Sequence, residues 1–162
     1  MFTREDYIEY FENIASKERS MVYKINELIP KIQDEYLKNA LSIILLEEMY
    51  HHKLISILFS KYIYPKIEAR KIERDYALGD ALLKNIETGL TIKIRCLDIS
   101  LSGIGIETEL QMKIGDAYEI NLHLFDGGKT IHLSNGKLKW FRKSSSTFYK
   151  GGIEFENYVE IN

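Results

Sequence analysis

Three sets of residues have the types and the spacing to do chemistry. The first is Arg70-Lys71-Ile72-Glu73-Arg74. Two guanidinium groups four residues apart can bracket one anion, whether the backbone there is a helical turn or a bent loop. Guanidinium suits phosphate because it donates in a planar fork and stays charged. It also stacks on flat rings, so one arginine can hold a phosphate and a base. Taken alone, the spacing reads more plainly as a solvated charge pair. The second set is Asp98-Ile99-Ser100-Leu101-Ser102-Gly103, at a strand end. Asp and Ser organise tight turns with their own side chains, and Gly permits positive φ. Polar groups on such a turn are open to a ligand, although the segment alone also reads as an ordinary loop.

The third set is Glu18, Glu48 and His51, which interrupt two helical stripes where apolar residues are expected. Burying an ionised carboxylate without a partner costs several kcal/mol. Something must compensate. Glu48-Met49-Tyr50-His51 puts a carboxylate and an imidazole on one helical face. With a Glu on the neighbouring helix, this is half of a carboxylate-bridged dinuclear metal site. A symmetric dimer would supply the other half and place two metals near its two-fold axis. Oxygen plus imidazole ligands suit iron or manganese. Two blander readings compete: a helix pair that oligomerises with these groups at a hydrogen-bonded seam, or a Glu–His pair that stabilises its own helix. His52 and Glu47 point away from the stripe and read as solvated, with His52 also a candidate outer-shell group.

The elements that must position these residues fall into two halves. Residues 4–29 form a predicted helix with Thr3 as N-cap and apolar positions at Tyr7, Phe11, Ile14, Met21, Ile25 and Leu28. Residues 34–63 form a second, with a stripe at Leu37, Leu41, Ile44, Ile55, Leu58 and Tyr62. Pro30 and Pro65 read as stops, because a proline inside a helix costs about 3 kcal/mol. The short connection predicts an antiparallel hairpin. After residue 75 the period changes to two. Alternating runs centre on Ile94, Ile106, Ile120, Ile131, Leu138 and Ile153, with turn signals at Thr88-Gly89, Gly115-Asp116 and Asp126-Gly127-Gly128. Such runs predict an antiparallel sandwich or barrel. Asn135-Gly136 reads as a bulge within one long strand rather than a turn.

The composition narrows the field. Lys plus Arg is 22 against 24 for Asp plus Glu, so any anion site must be local and general nucleic-acid binding is disfavoured. Cys96, the sole cysteine, makes no intrachain disulfide and offers no Cys-rich metal site. The charged N-terminus is no signal peptide, and the apolar run Leu41–Leu46 is too short to span a bilayer. A soluble, cytoplasmic protein is expected.

Arg-x-x-x-Arg followed by Asp-x-Ser-x-x-Gly, with a strand hairpin between them, resembles the PilZ family. Gly136-Lys137-Leu138-Lys139-Trp140 resembles the family's late strand, and Gly151-Gly152-Ile153-Glu154-Phe155 its closing strand. The resemblance covers roughly residues 68–157. It implies a six-stranded antiparallel barrel preceded by a flexible arm whose arginines wrap cyclic di-GMP. By position, Arg70 and Arg74 would contact phosphate and stack on bases, with Lys71 a weaker phosphate contact. Asp98 and Ser100 would make polar contacts to guanine, and Gly103 would allow close approach.

In the helical half, Glu18-Arg19-Ser20-Met21-Val22-Tyr23, Asp34-Glu35-Tyr36-Leu37-Lys38 and Leu46-Glu47-Glu48-Met49-Tyr50-His51-His52 resemble the first hairpin of ferritin-like and rubrerythrin-like proteins. The likeness covers about residues 4–60 and implies a di-iron site. Ordinary ferritins carry a second hairpin that this chain lacks, so the implied site needs a dimer.

The expected architecture is α+β. A two-helix hairpin over 1–65 becomes a four-helix bundle on dimerisation, and a PilZ barrel follows over 66–162. The expected function is a cytoplasmic cyclic di-GMP receptor, a homodimer whose helices hold iron or manganese between two chains. Two alternatives stand beside it. One is a di-iron oxidase or peroxidase regulated by the barrel. The other is a structural adaptor in motility or secretion.

Overall fold

The computed structural model describes residues 3–58 and 77–157. The chain divides into two compact units, Met1–Arg70 and Lys71–Asn162.

In the first unit, helix α1 spans Arg4–Leu28 and helix α2 spans Glu35–Leu58. Thr3 caps α1 as expected. Its hydroxyl accepts from the Asp6 amide at 3.2 Å, and the Asp6 carboxylate accepts from the Thr3 amide at 2.7 Å. This reciprocal pair satisfies two amides that the helix itself leaves open. Pro30 lies in a short 3-10 turn, Ile29–Lys31, beyond the end of α1. Asp34 opens α2 by accepting from the Leu37 amide at 2.8 Å. Pro65 lies outside the described residues.

The helices pack along one another, but the buried face is rotated from the expected stripe. Val22, Tyr23 and Ile25 are buried on α1, and His52 and Ser56 on α2. Met21, Leu28, Leu37 and Ile44 of the stripe remain 40–48% exposed. A helix in a hairpin turns one flank to its neighbour, and periodicity alone does not say which flank.

The second unit is a closed antiparallel barrel of six strands in the order β1-β2-β3-β6-β5-β4. The strands are β1 (Gly79–Asn85), β2 (Thr91–Ser100), β3 (Gly103–Thr108), β4 (Ala117–Leu124), β5 (Thr130–Lys143) and β6 (Tyr149–Phe155). The alternation expected for β2 to β6 holds. Ile94, Ile106, Ile120, Leu138 and Ile153 all point into one core. The alternating runs do not single out β1, although it also alternates, with Ala81 and Leu83 inward. β5 is one strand. Its register against β4 shifts between Tyr118 and Ile120, opposite Ser134-Asn135, so the expected bulge is present. The predicted glycine turns carry positive φ at Gly89 and Gly115.

Leu83 is 0% exposed and pairs with Ile92 on one side and Ile120 on the other. Leu83→Ala should cost about 3 kcal/mol, the range for a buried leucine left as a cavity. Urea unfolding followed by the emission of the single tryptophan, Trp140 in β5, measures it.

Candidate functional site

β2 and β3 join through Leu101-Ser102, so Ser100 and Gly103 pair across the ladder. The Ser100 hydroxyl donates to the Gly103 carbonyl at 3.2 Å, and the residue is 4% exposed. It braces the turn from within. Gly103 does not have positive φ; among the described residues only Gly89, Gly115, Gly127 and Gly128 do. The positive φ that glycine permits is thus not used at Gly103. A Cβ on Gly103 would run into the Ile153 carbonyl, so glycine here lets β3 close onto β6.

Asp98 stands two residues before Ser100. The β2–β3 register shifts between Cys96 and Asp98, which leaves Leu97 as an extra residue. A bulge re-aims the side chains that follow it. Ile99 is in the core, so half-buried Asp98 belongs to the outer face. There its carboxylate lies across Gly105, where a Cβ would sit 2.8 Å from Asp98 Cγ. Its negative charge also reaches Cys96. Burial pushes that thiol up, and Asp98 adds to the shift.

The row that begins at Asp98 continues around the barrel. Gly105 pairs with Gly152, and Gly152 pairs with Trp140. A Cβ on Gly152 would lie 2.8 Å from Trp140 Cε2 and 2.9 Å from Cδ1, so the indole lies across that glycine. Trp140 is 41% exposed, and the Arg142 guanidinium lies 5.7 Å from its ring centre. The neighbouring row brings Arg95, Glu107, Lys150 and Arg142 into register, with Arg95 and Glu107 3.6 Å apart. This outer face offers a carboxylate acceptor and an aromatic ring, each lying over a glycine, with flanking cations. Motif spacing does not single out Gly105, Gly152 or Trp140 for a site. The available signal was a glycine at an outward position in each of two strands, which marks a close approach.

A PilZ domain model matches residues 70–161, more than half of the chain. The chain belongs to the PilZ family. Among solved structures it is similar to the Bacillus subtilis inhibitor of motility MotI/DgrA. The identity is 18% and the TM-score 0.47, over 57% of this chain and 45% of that one. It is also similar to the PilZ domain with c-di-GMP of YcgR from Escherichia coli. There the identity is 17% and the TM-score 0.46, over 56% of this chain and 79% of that one. The chain thus spans under half the length of MotI/DgrA. No curated protein matches the chain. Arg70, Lys71 and Arg74 fall within the PilZ match but outside the described residues.

Apart from the PilZ domain, the helical hairpin brings its three polar residues together. Glu18, Glu48 and His51 each offer a ligand atom, all within 4.8 Å of one another. The Glu18 carboxyl is pushed up to about 7, chiefly by its hydrogen bond with Glu48, then by burial and the Glu48 charge; His51 opposes the shift. A carboxyl that keeps its proton near neutrality through such a hydrogen bond can exchange it for a cation.

His52 is not solvated, contrary to expectation. It is 2% exposed, and its Nε2 has no hydrogen-bond partner among the described residues. Burial, then the Arg19 charge, pushes it down to about 4. The reason is helix phase, since His52 lies on the same flank of α2 as buried Ser56. Glu47 is exposed as expected.

These two titrations act in opposite directions. His52 has a depressed folded value, so its contribution is complete above its ordinary 6.5 and is lost as pH falls towards about 4. Glu18 has a raised one, so its contribution is complete below its ordinary 4.5 and is lost as pH rises through about 7. The helical melting temperature, followed by circular dichroism, should therefore fall on both sides of a mildly acidic optimum. Glu18→Gln should flatten the alkaline side and leave the acid side in place.

Proposed function

We propose that the chain is a cyclic di-GMP receptor. The observation that carries this reading is the placement of Asp98. The bulge and the paired glycines leave its carboxylate on the outer face of the barrel, beside a turn braced by Ser100. A carboxylate there accepts from the N–H edge of a guanine. Gly103 keeps β3 close to β6 beneath it. Membership of the PilZ family and the Arg70-Lys71-Ile72-Glu73-Arg74 segment at the start of the matched span support the same reading. Arg70 and Arg74 would supply phosphate contacts and base stacking, and Lys71 a further phosphate contact. Titration calorimetry tests this directly. Wild type should bind cyclic di-GMP. Arg70→Ala and Arg74→Ala should each weaken binding roughly tenfold or more, the usual loss for a charge-assisted contact. A wild type that gives no heat at any concentration would end the receptor reading.

A second reading concerns the helices, and the cluster at Glu18, Glu48 and His51 favours it. The hairpin would dimerise into a four-helix bundle and hold iron or manganese between two chains. Each chain brings one lone Glu and one Glu-x-x-His, half of a dinuclear donor set. Met21 and Ile44, one turn from Glu18 and Glu48, are 47% and 40% exposed, and a second copy laid on this face would cover them. Bound metal would hold the two carboxylates together in place of the hydrogen bond between them. Protein purified without chelators should contain iron or manganese and scatter light as a dimer. Glu48→Ala and His51→Ala should lose the metal while keeping the helical signal, and adding metal to apo-protein should release protons. Metal-free wild type, or a strict monomer, would remove the shared centre. Turnover of oxygen or peroxide by the loaded protein would make the hairpin an enzyme with a regulatory barrel.

A further inference from the structure

Helix α2 carries large apolar residues on a side that neither the hairpin nor the Glu18–Glu48–His51 cluster uses. They are Tyr36, Ile43, Leu46, Tyr50, Leu54 and Ile57, all exposed. We propose that they form a self-association face, on which a second copy of the chain lays its own α2 antiparallel.

The steps between these residues are seven, three, four, four and three. At about 100° per residue, this spacing gathers all six into an arc of roughly 80°. The arc is centred roughly 140° from the flank of buried His52 and Ser56. At 1.5 Å per residue, the stripe runs for roughly 32 Å along the helix. An amphipathic helix turns charge to that side, and a helix that is apolar on both sides is normally covered on both.

The area is large enough for a specific contact. At 42–86% exposure, the six residues leave on the order of 700 Å² open on each copy, close to the ~800 Å² per partner of a standard interface. Monomeric proteins rarely leave a contiguous apolar patch of that size uncovered.

The edges of the stripe select the occupant. A straight helical ridge fits the grooves of another helix. Glu35 and Lys53 are both exposed and lie eighteen residues apart, five whole turns, so they share one edge. Laid parallel, two copies would set like charges against each other. Laid antiparallel about a two-fold axis near Ile43 and Leu46, Glu35 faces Lys53 of the partner subunit at both ends. Tyr36 then lies beside Tyr50 of the partner subunit. The ion pair of Glu35 with Lys38 on its own helix is exposed and weak, so Glu35 can serve this second contact. Such an interface is self-complementary and closes on two copies. A membrane surface fits less well. Glu35, Glu47 and Lys53 give the edges no basic excess for anionic headgroups.

Light scattering of the full-length protein in EDTA tests the proposal. The chelator takes apart any dimer bridged by metal at Glu18, Glu48 and His51, so the result is independent of the metal reading. Wild type should still scatter at twice the chain mass. Leu46→Glu and Tyr50→Glu should scatter as monomers. Their helical circular dichroism should match wild type, because both side chains are exposed. Lys53→Glu should weaken the dimer roughly fivefold, the loss of one exposed ion pair at each end, and adding Glu35→Lys should restore it. A wild type that is monomeric in EDTA overturns self-association and leaves the stripe to a different protein. A dimer unmoved by Leu46→Glu and Tyr50→Glu overturns the choice of face. A loss in Lys53→Glu that Glu35→Lys does not rescue overturns the antiparallel alignment.

Discussion

The crowding of backbone between β3 and β6 governs the outer face of the barrel. Where side chains would stand at Gly103, Gly105 and Gly152 there is instead a carbonyl of β6, the Asp98 carboxylate and the Trp140 indole. Any L side chain at these positions would force the strands apart or push the two flanking groups away. Glycine is therefore required by contact at these positions and not by φ. The bulge at Leu97 adds the second condition. It shifts the β2 register by one residue, which lets Asp98 face outward while Cys96 and Ile99 both remain in the core.

Core and face are thus built by the same strands with a clear division of labour. Inward positions are filled by isoleucine and leucine, most of them under a few per cent exposed. Outward positions along the β2–β3–β6–β5 arc hold charges, glycines and one tryptophan. Surface ion pairs such as Lys139–Glu154 at 2.6 Å decorate this arc but add little stability in water. What they do add is a local mixture of signs on a chain whose overall charge is only -2. A dianionic ligand would have to be recognised by that local arrangement, because the net charge gives it no long-range attraction.

The helical unit follows a different economy. Its buried face contains His52, whose Nε2 has no partner among the described residues, and its half-covered face contains the Glu18 carboxyl hydrogen-bonded to Glu48. Neither group contributes what an apolar residue would in the same place. Large apolar residues, including Met21, Leu37 and Ile44, meanwhile stay close to half exposed. A hairpin of two helices has too little mutual surface to cover both flanks of each helix.

The sequence by itself determined the element types, the change of period near residue 75, the capping of α1 by Thr3, the bulge in β5 and the PilZ motifs. These depend on local preference and on short spacings, which the chain order displays directly. It also brought Glu18, Glu48 and His51 into one group, because a short loop leaves little freedom in how two helices align. Only the tertiary structure decided which helical flank is buried, and so that His52 lies inside. It alone revealed that Gly103 serves strand closure, that Ser100 is buried and donates across the turn to the Gly103 carbonyl, and that Asp98 and Trp140 share a row. Those facts depend on register between strands far apart in sequence. A shift of one residue in that register would move every side chain to the opposite face.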